Sequence, residues 1–102
     1  MVIYNKAIRD KIPEIIKESG KNCNVKKLND SEFLVQLEKK LVEELAEYQE
    51  SKNVEELADM LEVIYRISQL KGITSDALDS IKNEKAKKRG KFDDNLFLVD
   101  TD

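Results

Sequence analysis

From about residue 31 to about residue 50 the apolar positions recur every three or four residues. Stepping about 100° per residue places Phe33, Leu34, Leu37, Leu41, Leu45 and Tyr48 on one stripe of a helix. A second periodic run, from about 54 to 70, carries Val54, Leu57, Ala58, Met60, Leu61, Val63, Ile64, Tyr65 and Ile67. These cover well over half of its circumference, so that helix needs cover on more than one side. The connection, roughly residues 49–53, is too short for anything but an antiparallel helical hairpin. Upstream, Ile8, Ile12, Ile15 and Ile16 recur at helical spacing, with Pro13 early in the segment where it is tolerated best and Gly20 at the end. Residues 22–30 read as a linker, extended around Val25 to Leu28, and Asn29, Asp30 and Ser31 supply candidate caps for the next helix. Gly72 ends the third helix. Thr74, Ser75 and Asp76 then cap a fourth, carried by Ala77, Leu78 and Ile81 and increasingly basic toward Gly90. The short apolar tail Leu96, Phe97, Leu98 and Val99 is expected to dock as an extended segment. The pattern predicts an all-α chain built on a helical hairpin with flanking helices.

Two i, i+3 carboxylate pairs interrupt this pattern: Glu44 and Glu47 on the first long helix, Glu56 and Asp59 on the second. Glu44 falls inside the apolar stripe, with Glu47 and Lys40 along its edge and Glu43 further toward solvent. Glu56 projects within the broad apolar arc beside Met60 and Val63, and Asp59 lies at its margin. A carboxylate on an apolar face is costly unless it is paired or binds a metal. Counting outward from the turn, Glu47 matches Glu56 in height and Glu44 matches Asp59, so the four occupy a band about one helical turn tall. Such a cage suits a hard cation, which prefers oxygen ligands. Structural roles compete with that reading. Asn53 and Glu56 fit a capping box, with Glu56 reaching back from the third helical position, and Glu44 and Glu47 could simply pair with Lys40.

Composition narrows the chemistry. A chain of 102 residues, 38% charged and 40% hydrophobic with one proline, reads as one soluble, helix-rich domain small enough to gain from a partner subunit. No apolar run approaches membrane-spanning length and no signal-peptide core is evident, so a cytoplasmic location and no membrane partner are expected. The absence of histidine removes a Ser-His-Asp triad, a histidine base and the usual histidine-containing zinc sites. Cys23 is the single cysteine, which excludes an internal disulfide and leaves a nucleophile without a histidine partner. Three glycines make neither a P-loop nor a dinucleotide fingerprint, so phosphate chemistry here must run through metal and basic side chains.

Those basic side chains cluster late in the chain: Lys82, Lys85, Lys87, Lys88, Arg89 and Lys91. Cations at a helix C-terminus complement its dipole, so a solvated helix end accounts for them as well as a polyphosphate-binding arm does. The net charge of −3 argues against a nucleic-acid partner. A small anionic ligand arriving with its metal fits better.

With these residues assembled, the chain resembles a known family. Glu43-Glu44-x-x-Glu47 followed by Glu56-x-x-Asp59 is similar to the signature of the all-α nucleotide pyrophosphohydrolases, the MazG and phosphoribosyl-ATP pyrophosphohydrolase superfamily. The start, Tyr4-Asn5-Lys6-Ala7-Ile8-Arg9-Asp10-Lys11-Ile12-Pro13-Glu14-Ile15-Ile16, and the end, Lys88-Arg89-Gly90-Lys91-Phe92, resemble a short-chain branch of it, so the likeness spans nearly the whole of residues 1–102. The resemblance implies a MazG-like helix bundle whose sites are completed in a homodimer or homotetramer. It also implies Mg²⁺-dependent cleavage, with Mn²⁺ as a substitute, between the α- and β-phosphates of a nucleotide substrate. Carried over residue by residue, it makes Glu44, Glu47, Glu56 and Asp59 metal ligands. Glu43 and Glu47 orient or deprotonate water, Lys40 contacts phosphate, and Arg9, Lys11, Lys88 and Arg89 are further phosphate contacts. Two departures stand out: only eight residues separate Glu47 from Glu56, leaving less room for a base-binding loop, and Lys91 stands where relatives usually carry a second glycine. Two alternatives remain open. One is a phosphoribosyl-ATP pyrophosphohydrolase of histidine biosynthesis; the other is a non-enzymatic helical module that associates through the apolar face of residues 54–70.

Overall fold

The computed structural model describes residues 1–102 and contains no strand. Its four helices are α1 (Ile12–Glu18), α2 (Asp30–Ser51), α3 (Val54–Leu70) and α4 (Ser75–Arg89). The all-α expectation therefore holds, and both long helices lie within a residue of their predicted spans. Helix α2 starts at a full capping box: Asn29 Oδ1 accepts from the Glu32 N–H at 2.8 Å, and the Glu32 carboxylate accepts from the Asn29 N–H at 3.4 Å. It ends where Lys52 takes a left-handed conformation, φ 58°, and donates its N–H to Tyr48 O at 2.7 Å. Asn53 then caps α3 through Glu55 N–H at 2.9 Å. Two residues suffice to reverse the chain, so α2 and α3 form the antiparallel hairpin.

Helix α1 is shorter than the isoleucine spacing predicts. It begins at Ile12, leaving Ile8 outside. Pro13 explains this: its ring has no N–H for the carbonyl four residues back and collides with it, so a helix can hold Pro13 only in its first turn. Residues 25–28 form no strand, and Val25 is exposed.

The packed centre is small. Only Ala7, Leu37 and Val63 are buried apolar residues, with Phe33, Leu41, Ile67 and Leu70 packed partly against them. Ala7 brings the N-terminal segment across the hairpin, because its methyl group is small enough to sit against both long helices. At the far end of α3, Gly72 (φ 85°) allows the reversal, Ser68 Oγ donates to Ile73 O at 2.8 Å, and Tyr65 donates to Asp79 at 3.0 Å. Helix α4 packs on α3 alone, and from Ser80 onward it is exposed except at Ala86. The result is elongated, 59 × 32 × 24 Å, with a radius of gyration of 17.8 Å against about 13 Å for a compact chain of this size.

Three expectations of apolar cover are not met within the chain. Leu45, on the stripe predicted for α2, is exposed, and so are Val54, Leu57 and Leu61, at i, i+3 and i+7 on α3. The tail Leu96, Phe97, Leu98 and Val99 is extended but not docked, and all four side chains face solvent. Helix α4 is exposed after Asp79 except at Ala86, so the tail starts away from the apolar face of the hairpin.

Candidate metal centre

Leu37, Leu41 and Glu44 follow one another along the inner face of α2, and the hairpin buries Glu44 with its apolar neighbours. Glu44 retains only 6% of its surface. Across the interface, Glu56 and Asp59, one turn apart on α3, point at the same place. Ligand oxygens from Glu44, Glu56 and Asp59 all lie within 4.8 Å of one another. Two of the four predicted metal ligands on α3 and one on α2 are thus brought together. Glu47 is exposed at the rim, outside the group of three, but close enough to act on Glu44.

The electrostatics of Glu44 are unusual for so small a protein. Its Oε1 lies 3.3 Å from Lys40 Nζ, while its Oε2 is the one buried side-chain oxygen in the chain with no hydrogen-bond partner. Burial pushes its pKa up, and the Glu47 carboxylate, within hydrogen-bonding reach but offering no donor while ionised, pushes the same way, partly offset by Lys40. Glu43 goes in the opposite direction. The Lys6 ammonium donates to Glu43 Oε1 at 3.1 Å and holds that carboxyl below its ordinary value, with Lys40, 3.4 Å from Oε2, assisting. The same contact raises the pKa of Lys6. Arg9 forms the third link, its Nη2 donating to Asp59 Oδ1 at 2.7 Å.

These partners remove one of the competing structural roles, the capping box, and bear out half of the other, the pairing of Glu44 with Lys40. Glu56 does not complete a capping box: Asn53 Oδ1 accepts from Glu55, and the Asn53 N–H donates to Ser51 Oγ at 3.1 Å, so the Glu56 carboxylate is left free of the cap. Lys40 pairs with Glu43 and Glu44, not with Glu47. Of the predicted phosphate contacts, Arg9 and Lys40 lie at the carboxylates. Lys11 is exposed at the start of α1. Lys88 and Arg89 line an open depression of about 410 Å³ with Ser80, Ile81, Glu84 and Lys85, on the largely exposed C-terminal part of α4. Lys6 is the residue at this site that no pattern in the sequence singles out; it lies beside Ala7 in the irregular N-terminal segment, with no periodicity tying it to the hairpin.

The donor set fits a hard divalent cation. All three converging groups are carboxylates, and one presents a buried oxygen with nothing bound to it. Oxygens on opposite sides of one ion are separated by about twice the metal–oxygen bond, roughly 4 to 5 Å for Mg²⁺ to Ca²⁺, which is the scale of the 4.8 Å spread. Charge agrees. Glu43, Glu44, Glu47, Glu56 and Asp59 face Lys6, Arg9 and Lys40, an excess of two negative charges when all are ionised. Compared with family models, curated proteins and solved structures, the chain matches none of them.

Proposed function

We propose that this chain is a Mg²⁺-dependent nucleotide pyrophosphohydrolase of the MazG-like, all-α kind, hydrolysing the α–β phosphoanhydride of a nucleoside triphosphate to a monophosphate and pyrophosphate. The observation that carries the reading is the buried, unpartnered Oε2 of Glu44, set among the carboxylates of Glu56 and Asp59. Lys40 satisfies only the other oxygen, and folding alone gives no reason to leave Oε2 buried without a partner.

Glu44, Glu56 and Asp59 would hold the cation, with Glu47 near enough at the rim to join them. When bound, that ion neutralises polyphosphate charge and lowers the pKa of water beside it. The protein's own residues do the rest. Lys40, fixed between Glu43 and Glu44, and Arg9, on the open side of Asp59, present donors to phosphate oxygens. Glu43, kept ionised by Lys6, orients water as an acceptor. The exposed Glu47 carboxylate takes the proton that water loses as its oxygen attacks phosphorus, and pyrophosphate departs against the basic groups.

A homodimer or homotetramer is the working form, in a cytoplasmic setting. Support for association comes from the exposed stripe Val54, Leu57 and Leu61 and from a core of three buried apolar residues, since apolar stripes of this kind mark interaction surfaces. No helix is long and apolar enough to cross a membrane.

The test is a panel of nucleotides with Mg²⁺ or Mn²⁺ in ¹⁸O-labelled water, read by phosphorus NMR. Monophosphate and pyrophosphate are expected, with label on the phosphorus that was attacked. Release of inorganic phosphate with a diphosphate product refutes the assigned bond. No hydrolysis across the panel favours the association module, for which the exposed α3 stripe is the supporting observation.

A further inference from the structure

We infer that Arg9 is a displaceable counter-ion: it holds Asp59 while the cation site is empty and is handed over to the substrate's phosphate when the cation arrives, coupling the two binding events. The inference rests on the metal reading above and adds to it the identity of the residue that links cation to anion.

Three observations carry it. Arg9 Nη2 lies 2.7 Å from Asp59 Oδ1, on one of the three converging carboxylates, so a guanidinium already occupies the charge that a cation would use. The pair is loose, with side-chain exposures of 58% for Arg9 and 40% for Asp59. Solvent-exposed ion pairs of this kind are weak and yield readily. By contrast Lys40 and Glu44 are 19% and 7% exposed, and that pair is built in. Finally, the segment bearing Arg9 is anchored rather than floating: Ala7 is buried with Leu37 and Val63, and Lys6 is tied to Glu43. Arg9 can therefore release Asp59 by side-chain rotation alone while its backbone stays beside the site.

A divalent ion entering among Glu44, Glu56 and Asp59 meets a positive charge at close range and drives that rotation. The guanidinium then stands free, and its planar fork matches two phosphate oxygens at once. Cation binding thus prepares the anion site, and by linkage the anion tightens the cation. Lys6 is the fixed member of the strap and Arg9 the mobile one.

The experiment uses the full metal-free chain and Mn²⁺ titrated by calorimetry into wild type, Arg9→Gln, Lys17→Gln and Glu44→Gln. Arg9→Gln is expected to bind Mn²⁺ about threefold to fivefold more tightly than wild type, because the competing cation is gone. Lys17, exposed on α1 and without an ion pair, reports the general effect of losing one positive charge. Its variant is expected to stay within about twofold of wild type. Unchanged or weaker Mn²⁺ binding by Arg9→Gln, or equal tightening by Lys17→Gln, overturns the inference. If Glu44→Gln binds Mn²⁺ as wild type does, the metal reading itself fails and takes the inference with it. The guanidinium ¹⁵N spectrum of the unaltered chain gives an independent arm should Arg9→Gln misfold. The Arg9 Nη signals are expected to move toward the free-guanidinium position on adding Mg²⁺ and to shift again with Mg²⁺ and inorganic pyrophosphate. Signals that persist unchanged through Mg²⁺ saturation overturn the exchange.

Discussion

Replacing Glu44 by glutamine removes a charge while preserving shape, and its effect on the metal-free protein separates a ligand from a structural carboxylate. In the native chain Glu44 is 6% exposed, one oxygen pairs with Lys40 and the other has no partner. A buried unsatisfied polar group costs roughly 1–3 kcal/mol. Glutamine keeps an oxygen for Lys40, ends the repulsion with Glu47 and leaves Lys40 its second partner, Glu43. The remaining amide still lacks a full set of partners, so the net gain sits near the low end, about 1 kcal/mol. For a domain of this size that is about 5 °C in Tm.

The pH dependence follows from the direction of the shift. The Glu44 carboxyl is raised above its ordinary value of 4.5, so between the two values the folded state binds more protons than the unfolded state. Stability then falls as pH rises through that window. Wild type and Glu44→Gln should therefore differ at neutral pH and converge below about 4.5, the reverse of a stabilising carboxylate. Differential scanning calorimetry in chelator, then with Mg²⁺ or Mn²⁺, reads both effects. A cation at about one hundred times its Kd stabilises the folded state by about 2.7 kcal/mol, an increment wild type should show and the variant largely lose. A metal-free variant less stable than wild type would refute the reasoning, because Glu44 would then be contributing to the fold.

The other expectations are independent of that one. Glu56→Gln should keep metal-free stability within about 0.5 kcal/mol, as expected away from any cap or core contact, yet lose turnover; a large drop in Tm would restore a structural role. Asp59→Ala should abolish pyrophosphate release, and Cys23→Ser should leave kcat unchanged in the same assay. Lys6→Met should weaken the acid limb of stability. The Glu43 carboxyl is held below 4.5, so its contribution is present above about that pH and lost as pH falls through the lowered value, which acid titration followed by circular dichroism measures. Leu57→Lys with Leu61→Lys should convert an oligomer to monomer by light scattering, and a monomeric wild type at micromolar concentration would sink the assembly.

What was legible in the sequence is what local chemistry determines. Helices α2 and α3 were recoverable because both carry apolar positions at helical spacing and an asparagine cap stands at each start, and Glu44 stood out because it breaks the stripe between Leu41 and Tyr48. Lys40 as a partner of Glu44 was legible too, being one helical turn away, but the distant partners of the carboxylates were not. Arg9 meets Asp59 across fifty positions and Lys6 meets Glu43 across thirty-seven, and no helical period relates an irregular N-terminal segment to a hairpin. The Asn53–Glu56 spacing satisfied a capping pattern that the backbone then used differently: Ser51 Oγ reached the Asn53 N–H first, leaving Glu56 nothing to cap. The tail failed for a geometric reason. Its composition asks for burial, but the direction in which α4 leaves α3 decides whether any surface lies within reach.

The smallness of the core sharpens the argument from Glu44. With Ala7, Leu37 and Val63 as the only buried apolar residues, a cost of even about 1 kcal/mol is a sizeable fraction of the few kcal/mol that hold a domain this small. A leucine at position 44 would complete the stripe from Phe33 through Leu37, Leu41 and Tyr48, and burying it would add roughly 1.5–3 kcal/mol. The chain instead places there a carboxylate with one oxygen bare, opposite two more on α3, and runs a basic strap along their edge. The unpartnered oxygen and the crowding of carboxylates oppose stability in isolation, the ion pairs with Lys6, Arg9 and Lys40 offset part of that cost, and on the proposed reading the arrangement acquires its use once a cation and a polyphosphate are present. Glu44→Leu is accordingly expected to give a more stable protein by thermal melt that binds no Mn²⁺ by calorimetry. A leucine variant that melts lower than wild type in metal-free buffer would show that the carboxylate serves the fold after all.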